Sequence, residues 1–201
     1  MCQKVYWKPL LVPAELKAYT NGKLPEEQLG RLSCGGTAWK GGKCGGAVFS
    51  FNLMFDHAKS EGIILDAVSE GYRSYERQLA LFLDRYQLTP TGRVPEITRT
   101  WNGATWYLKQ GKSPSASPQT SPHGWALAQD LDVRDRRVYD WLVKNAPKYG
   151  WFLQGPPTYN GKPNPEYEAW HWQLSNADKP TRRVRKAWRK FQNMVRKAQS
   201  V

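Results

Sequence analysis

Residues 121–132 read Ser-Pro-His-Gly-Trp-Ala-Leu-Ala-Gln-Asp-Leu-Asp, and the expected fold follows from this stretch. Residues 126–133 alternate small or apolar side chains with others, a period of two that predicts a β-strand. Four residues would share one face of that strand: Ala126, Ala128, Asp130 and Asp132. His123 precedes the strand in a turn, and small neighbours leave room in front of Asp130. We therefore expect the imidazole and the carboxylate to reach one point.

A second group of polar residues follows later in the chain, where residues 168–172 read Glu-Ala-Trp-His-Trp. His123, Asp130 and His171 would provide three ligands with an open fourth position, the pattern of a catalytic zinc site rather than a closed structural one. Glu168, three residues before His171, would then be placed to take a proton from a water at the metal.

These motifs resemble those of a known family. The pattern is Ser-x-His, alanine and aspartate five and seven residues after that histidine, and a distant Glu-x-Trp-His. It resembles the VanY/VanX-type zinc D-alanyl-D-alanine peptidases, which include cell-wall carboxypeptidases, dipeptidases and many phage endolysins that cut peptidoglycan stem peptides. Residues 71–78, Gly-Tyr-Arg-Ser-Tyr-Glu-Arg-Gln, resemble the Tyr-Arg-Ser/Thr segment of the family with its downstream glutamine. The resemblance runs from residue 47 to residue 172.

The resemblance implies a role for each site residue. The implied zinc ligands are His123, Asp130 and His171. Glu168 would be the general base, and Arg73 would stabilise the oxyanion that forms during attack or bind a substrate carboxylate. Gln78 and Ser121 would contact the substrate peptide. The chain departs from the family at Ala126, where glycine is usual, and we expect this methyl group to crowd the substrate beside the metal.

Three other residues compete for these roles. Asp132 would lie on the same strand face as Asp130, and Glu166 is a second carboxylate close to His171. The family spacing favours Asp130 as the ligand and Glu168 as the base. His57 lies near the apolar stripe of a predicted helix, where an isolated histidine is usually a packed or surface residue. We therefore do not count it among the ligands.

The expected fold is α+β, with a small antiparallel sheet that carries the zinc site and is flanked by helices. Apolar spacing predicts a helix over residues 47–58 that ends at Gly62. Ser74 and Asp135 are predicted to cap two further helices. In the helix after Ser74 the predicted buried stripe comprises Tyr75, Leu79, Phe82, Leu83 and Tyr86, with Gln78 off its centre.

Strands are predicted over residues 63–68, 151–153 and 167–174. Glu168 and His171 would face opposite sides of the last strand, so a bulge or twist near Ala169 is expected. Residues 89–122 have little apolar period and are predicted to be a long loop that forms a wall of the substrate groove.

Composition divides the chain into two parts. We expect a zinc peptidase domain over residues 1–178, whose N-terminal part wraps the core with short helices, and a basic amphipathic helix over residues 179–201. The formal net charge is +13, and residues 179–201 contain no acid. Such a chain is attracted to polyanions. The expected partners are bacterial peptidoglycan and, through the terminal helix, an anionic wall polymer or membrane surface. We expect a monomer.

Residues 1–25 contain no apolar run behind a basic start, so no signal peptide is predicted and synthesis in the cytoplasm is expected. Action on the wall after release would suit a phage endolysin. We expect a zinc metallopeptidase of this kind that cuts an L-alanyl-D-glutamate or D-alanine bond. The alternatives are a VanY-type D-alanyl-D-alanine carboxypeptidase and a non-catalytic wall-binding module.

Cys34 and Cys44 are expected to be free thiols, with a disulfide as the alternative, and Cys2 has no assigned role.

Overall fold

A computed structural model describes residues 7–159 and 161–200, and the side chain of Tyr159 lies outside this description. Four α-helices occur in this part of the chain: α1 Gly46–Ser60, α2 Tyr75–Arg85, α3 Arg136–Asn145 and α4 Arg182–Gln199. Short 3₁₀ helices cover Ala14–Ala18, Glu26–Gln28, Lys43–Gly45, Pro122–Trp125 and Ala146–Tyr149. The first two lie in the N-terminal segment where short helices were expected. None of the described helices is long and apolar enough to cross a bilayer.

The strands are short and pair in an antiparallel manner. They are β1 Leu29–Arg31, β2 Thr37–Trp39, β3 Tyr86–Gln87, β4 Thr98–Trp101, β5 Ala104–Leu108, β6 Ala128–Asp130, β7 Trp151–Leu153, β8 Thr158–Tyr159, β9 Lys162–Pro163 and β10 His171–Leu174. Two sheets have three strands each, in the orders β6-β10-β7 and β3-β5-β4. The remaining strands form the pairs β1-β2 and β8-β9. The fold is therefore α+β, as predicted.

The sheet β6-β10-β7 positions the polar motifs. His171 of β10 pairs with Asp130 of β6, and Gln173 pairs with Ala128. Every residue of these three strands is buried. Because residues opposite each other in an antiparallel pair point to the same face, the register places the aspartate beside the histidine. The predicted sheet beneath the site is confirmed.

The predicted helix signals agree with the structure. Ser74 accepts a hydrogen bond from the backbone N–H of Arg77, and Asp135 accepts one from that of Arg137. Helix α1 ends just before Gly62, which has a left-handed φ of 73°. In α2, however, the buried residues are Gln78 and Phe82, and the side chain of Leu83 is largely exposed. Gln78 therefore lies on the inward face of α2. That face packs against polar groups of the chain as well as against the core.

Three of the predicted strands differ from the observed ones. The strand predicted over residues 126–133 is confined to β6, because Ala126 ends the preceding 3₁₀ helix with a φ of 54°. Residues 63–68 form no strand and contribute a single bridge between Ala67 and Leu131. The last strand begins at His171 rather than at residue 167, because a turn at residues 169–170 precedes it.

The long loop predicted over residues 89–122 contains a β-hairpin. Strands β4 and β5 pair from Thr98–Tyr107 to Trp101–Ala104 across a turn at Asn102 and Gly103. Phe82 packs against Trp101 and Trp106 at centroid distances of 5.5 and 5.3 Å. A small second core therefore lies under the hairpin, and the prediction of an irregular loop holds for residues 109–121 rather than for the whole segment.

The main core is built from α1, α3 and the sheet β6-β10-β7. Its largest fully buried side chains include Trp39, Phe51, Trp151 and Trp172. His57 packs against Trp141 and Tyr149, and its Nε2 lies 3.0 Å from Glu61 Oε1, so this histidine takes part in packing. Cys34 and Cys44 are free thiols, whereas Cys2 lies outside the described residues.

Candidate active site

Three buried side chains converge at the floor of a cleft. His123 Nε2 lies 3.2 Å from His171 Nδ1 and 3.3 Å from Asp130 Oδ1. His171 Nδ1 lies 3.2 Å from the same carboxylate oxygen. Within residues 7–159 and 161–200, these three residues are the one group of histidine, cysteine, aspartate and glutamate side chains whose donor atoms could hold a metal ion. The structure therefore brings the three predicted ligands together.

Two of the three donors are oriented by neighbouring groups. The 3₁₀ helix Pro122–Trp125 carries His123, whose Nδ1 lies 2.8 Å from the carbonyl oxygen of Gly71. Since a carbonyl only accepts, Nδ1 carries the proton and Nε2 is left with a free lone pair. The other oxygen of Asp130, Oδ2, accepts a hydrogen bond from Ser69 Oγ at 2.7 Å.

The donor set fits zinc. Ligand atoms at about 2.0–2.1 Å from a tetrahedral zinc ion stand about 3.3 Å apart. The three observed separations of 3.2, 3.2 and 3.3 Å match that edge length. The Nε2 lone pair of His123 points at a carboxylate oxygen and a second imidazole, an arrangement that a cation among the three atoms would stabilise. Burial opposes ionisation of Asp130, but the influence of the neighbouring His123 and His171 rings outweighs it and holds the pKa of this carboxyl well below its usual range.

Glu168 lies beside this cluster. Its Oε2 atom is 4.0 Å from His171 Nδ1, and its side chain is 36% exposed. The turn at residues 169–170 brings Glu168 and His171 to one side, and the backbone N–H of His171 donates to the Glu168 carbonyl. This turn replaces the bulge expected near Ala169. Partial burial raises the pKa of the Glu168 carboxyl, and the negative charge of Asp130 acts in the same direction.

Arg73 lines the cleft from the loop before α2. Its backbone N–H donates to the carbonyl of His123, and its Nη1 donates to Gln78 Oε1 at 3.1 Å. Its Nε atom lies 3.5 Å from Glu70. The side chain is 14% exposed, so its guanidinium is held in place by neighbours on two sides.

Gln78 and Ser121 have different surroundings. Gln78 is buried and donates from Nε2 to the carbonyl of Ala116 at 2.8 Å, so its side chain joins Arg73 to the cleft wall. Ser121 lines the cleft, and its hydroxyl accepts from the backbone N–H of His123. The predicted contacts of both residues with the substrate stay predictions. The geometry adds that Gln78 holds Arg73.

The residues that competed for the ligand and base roles make other contacts. Hydrogen bonds from Arg134 lower the pKa of Asp132 to about 2, and this pair lies beside a separate surface pocket. Glu166 lines the cleft but forms an ion pair with Arg99 at 3.0 Å. Ala126 is fully buried in the main core and does not line the cleft, so the expected crowding of the substrate is wrong. The left-handed backbone at this position gives a physical reason for glycine in relatives.

The residues that support the predicted ligands were not predicted from the sequence. Ser69 contacts Asp130, the Gly71 carbonyl contacts His123, and Gln129 donates to the carbonyl of Ser69 at 3.0 Å. A β-carbon at Gly71 would lie 2.2 Å from the Thr37 carbonyl oxygen, so the loop needs glycine there. The only signal in the sequence was the proximity of residues 69–71 to the Tyr-Arg-Ser segment.

The cleft has a volume of about 800 Å³. Residues 113–117 and the side chains of Arg73, Arg85 and Arg99 line it. Further lining residues are Trp7, Pro9, Leu10, Val12 and Trp170. Arg85 donates from Nη1 to the carbonyl of Pro114 at 2.8 Å. The cleft is therefore rich in cations and large enough for several residues of a peptide.

A His-Asp-His donor cluster with a neighbouring glutamate, at the floor of a peptide-sized cleft, defines a hydrolase site of the zinc peptidase class. The profile of the VanY family, described as D-alanyl-D-alanine carboxypeptidase, matches residues 46–177. The chain belongs to this family.

A curated relative supports the assignment. The chain is 31% identical over 136 residues to YodJ of Bacillus subtilis (strain 168), a provisionally assigned carboxypeptidase. The match covers 62% of this chain and 43% of YodJ, so it spans less than half of that relative.

Solved structures share the fold. The LdcB LD-carboxypeptidase aligns with a TM-score of 0.54 at 24% identity, covering 84% of this chain and 76% of the other. A mutant of the vancomycin resistance D,D-pentapeptidase VanY in complex with Zn(II) aligns with a TM-score of 0.51 at 19% identity, covering 83% and 88% of the two chains. These similarities show that the chain shares the fold of both structures.

Proposed function

We propose that the chain is a zinc-dependent carboxypeptidase that removes a C-terminal D-amino acid from peptidoglycan stem peptides. The observation that carries the proposal is the convergence of three donor atoms at 3.2–3.3 Å beside Glu168 in the cleft. Membership of the VanY family supports both the reaction and the substrate class.

His123, Asp130 and His171 would hold the zinc ion. When bound, zinc supplies Lewis acidity, which polarises the scissile carbonyl and makes a water molecule easier to deprotonate. The carbonyl of Gly71 keeps His123 in the tautomer that presents Nε2, and Ser69 keeps one oxygen of Asp130 turned away from the histidines. Such outer partners fix the orientation of metal ligands and raise their basicity.

Glu168 would act as the proton carrier. Its carboxylate accepts a proton from the attacking water and then donates that proton to the nitrogen of the leaving D-amino acid. The position beside His171 suits this role, because the carboxylate lies next to the donor cluster and the residue lines the cleft. Glu166 is a weaker candidate, because Arg99 holds its carboxylate.

Arg73 would stabilise the negative charge that develops on the carbonyl oxygen. Gln78 and Glu70 fix its guanidinium before substrate binds, so little reorganisation is needed during the reaction. A carboxypeptidase also needs a cation for the terminal carboxylate of its substrate. Arg85 lines the same cleft and is anchored by the Pro114 carbonyl, so we assign this second task to Arg85.

An endopeptidase of the phage endolysin type is the second candidate. The volume of about 800 Å³ favours it to the extent that a single terminal residue would leave much of the cleft unfilled. An L-alanyl-D-glutamate bond and a D-alanine cross-link would both suit the same catalytic groups. Cytoplasmic synthesis, release to the wall and a monomeric state belong to this proposal as expectations.

The test uses synthetic stem peptides that end in D-Ala-D-Ala, with a free or an amidated C-terminus, and mass spectrometry of the products. Release of D-alanine from the free peptide alone supports a carboxypeptidase that recognises the terminal carboxylate. Internal cleavage of both peptides supports the endopeptidase. Wall binding without release of any peptide, with zinc present and absent, would support a non-catalytic module and refute both.

A further inference from the structure

Helix α4 is covered by the rest of the chain along only part of its length. Val184 is buried, and Trp188 packs edge-on against Phe49 of α1 with a centroid distance of 4.8 Å. Phe191 reaches the same ring at 5.7 Å but remains 41% exposed. The first turns of α4 are therefore fixed to α1, and the contact weakens toward the C-terminus.

The apolar face continues beyond this contact. Val184, Trp188, Phe191 and Val195 follow one another at helical spacing, and Met194 borders them. Met194 is 62% exposed, and among residues 192–200 all but the half-buried Val195 are exposed. The last two turns of α4 thus present an apolar edge to solvent.

Cations surround this edge. Residues 179–201 contain nine lysines and arginines and no aspartate or glutamate, in a chain whose net charge is +13. Lys190 and Lys197 are exposed and lie one turn before and one turn after Met194 on its side of the helix. An anionic polymer would satisfy the lysines but would leave Phe191 and Met194 in water.

We propose that the last three turns of α4 bind an anionic lipid surface, with Phe191 and Met194 inserted at the headgroup boundary and Lys190 and Lys197 on the lipid phosphates. Basic amphipathic helices bind membranes in this way, with apolar side chains inserted and the long lysine side chains beside them reaching the headgroups. Apolar insertion and charge act together, and neither alone gives stable attachment. This inference goes beyond the proposed peptidase activity and does not depend on it.

The experiment measures co-sedimentation of the full-length protein with vesicles of phosphatidylglycerol and phosphatidylcholine, and with vesicles of phosphatidylcholine alone. We expect binding to the anionic vesicles only, weakened by salt. Met194→Ser should reduce affinity roughly tenfold because it removes inserted apolar surface. Lys190→Gln/Lys197→Gln should reduce it by roughly fivefold for each lost cation.

Matched controls separate these effects from general changes in charge or polarity. Leu88→Ser removes a side chain of similar exposure (58%) in the bend after β3, and Lys17→Gln/Lys59→Gln removes two exposed lysines elsewhere. Neither control should alter vesicle binding. The melting temperature of Met194→Ser should match that of the wild type, because the side chain is exposed.

Any of the following outcomes would overturn the proposal. Equal binding to both vesicle types, or wild-type affinity in Met194→Ser, would exclude lipid insertion. Binding to purified teichoic acid that depends on the lysines but not on Met194 would identify a wall polymer as the partner. Dissociation of a dimer by Met194→Ser without a change in vesicle binding would identify a second copy. None of these measurements involves catalysis, so they can fail while the peptidase proposal stands.

Discussion

The hydroxyl of Ser69 donates a hydrogen bond of 2.7 Å to Asp130 Oδ2, while Oδ1 of the same carboxylate faces both histidines. One side of the aspartate is thus held by the loop and the other is directed at the donor cluster. The same loop provides the Gly71 carbonyl for His123, so residues 69–71 orient two of the three proposed ligands.

The first prediction concerns this hydrogen bond. Ser69→Ala should weaken zinc binding about 10–100-fold, because outer partners of metal ligands typically contribute this much to affinity. Competition with a fluorescent chelator measures the affinity without relying on activity. Ser115→Ala is the control, because the Ser115 hydroxyl is buried and has no hydrogen-bond partner among the described residues. Equal zinc affinity in Ser69→Ala and the wild type would refute the positioning role.

The second prediction concerns the general base. Glu168→Gln keeps the shape of the side chain and removes its basicity, so kcat should fall about 10²–10⁴-fold while zinc remains bound. Glu166→Gln is the matched control, because it lies two residues away in the same cleft. If Glu166→Gln loses activity and Glu168→Gln does not, the two carboxylates have been assigned in the wrong order.

The third prediction concerns Arg73. Arg73→Lys keeps the charge but cannot reproduce the planar contacts with Gln78 and the oxyanion, so most of kcat should be lost with the fold intact. Arg77→Lys provides the control, since Arg77 contacts the same Glu70 but is 73% exposed. An unchanged kcat/KM in Arg73→Lys would contradict the assignment.

The fourth prediction concerns pH and stability. A hydrogen bond from Trp141 Nε1 at 2.7 Å, reinforced by His57, lowers the pKa of Glu61 below its ordinary value. A carboxyl whose pKa is lower in the folded state stabilises the fold above the unfolded-state pKa, and this contribution is lost as the pH falls through the folded-state value.

The free energy of unfolding should therefore differ most between the wild type and Glu61→Gln near neutral pH, and the difference should shrink below about pH 4. Denaturant unfolding of both proteins at several pH values measures it. A difference that stays constant from neutral to acidic pH would show that ionisation of Glu61 does not contribute.

The sequence contained enough to predict which side chains meet. The residue types and spacing of His123, Asp130 and His171 match a known chemical pattern, and the pairing of β6 with β10 brings them together. Helix starts at Ser74 and Asp135 were predictable because a capping side chain acts on residues close to it in sequence.

Other features depended on contacts that no local pattern reveals. Ala126 adopts a left-handed backbone that alanine rarely takes, and this shortened the predicted strand. The hairpin β4-β5 is stabilised by packing of Trp101 and Trp106 on Phe82, which is distant in sequence. Ser69 acts on Asp130 across 61 positions, so its role becomes visible only in the folded chain.

The most direct test of the central claim is mass spectrometry of a stem peptide ending in D-Ala-D-Ala after incubation with zinc-loaded protein, with chelator-treated protein and with Glu168→Gln. We expect loss of the terminal D-alanine with the zinc-loaded wild type, no loss after removal of zinc, and restored activity when zinc is returned. Glu168→Gln should bind zinc and release almost no product. Full release of D-alanine in excess chelator, or an intact peptide with fully zinc-loaded wild-type protein, would refute a zinc-dependent carboxypeptidase.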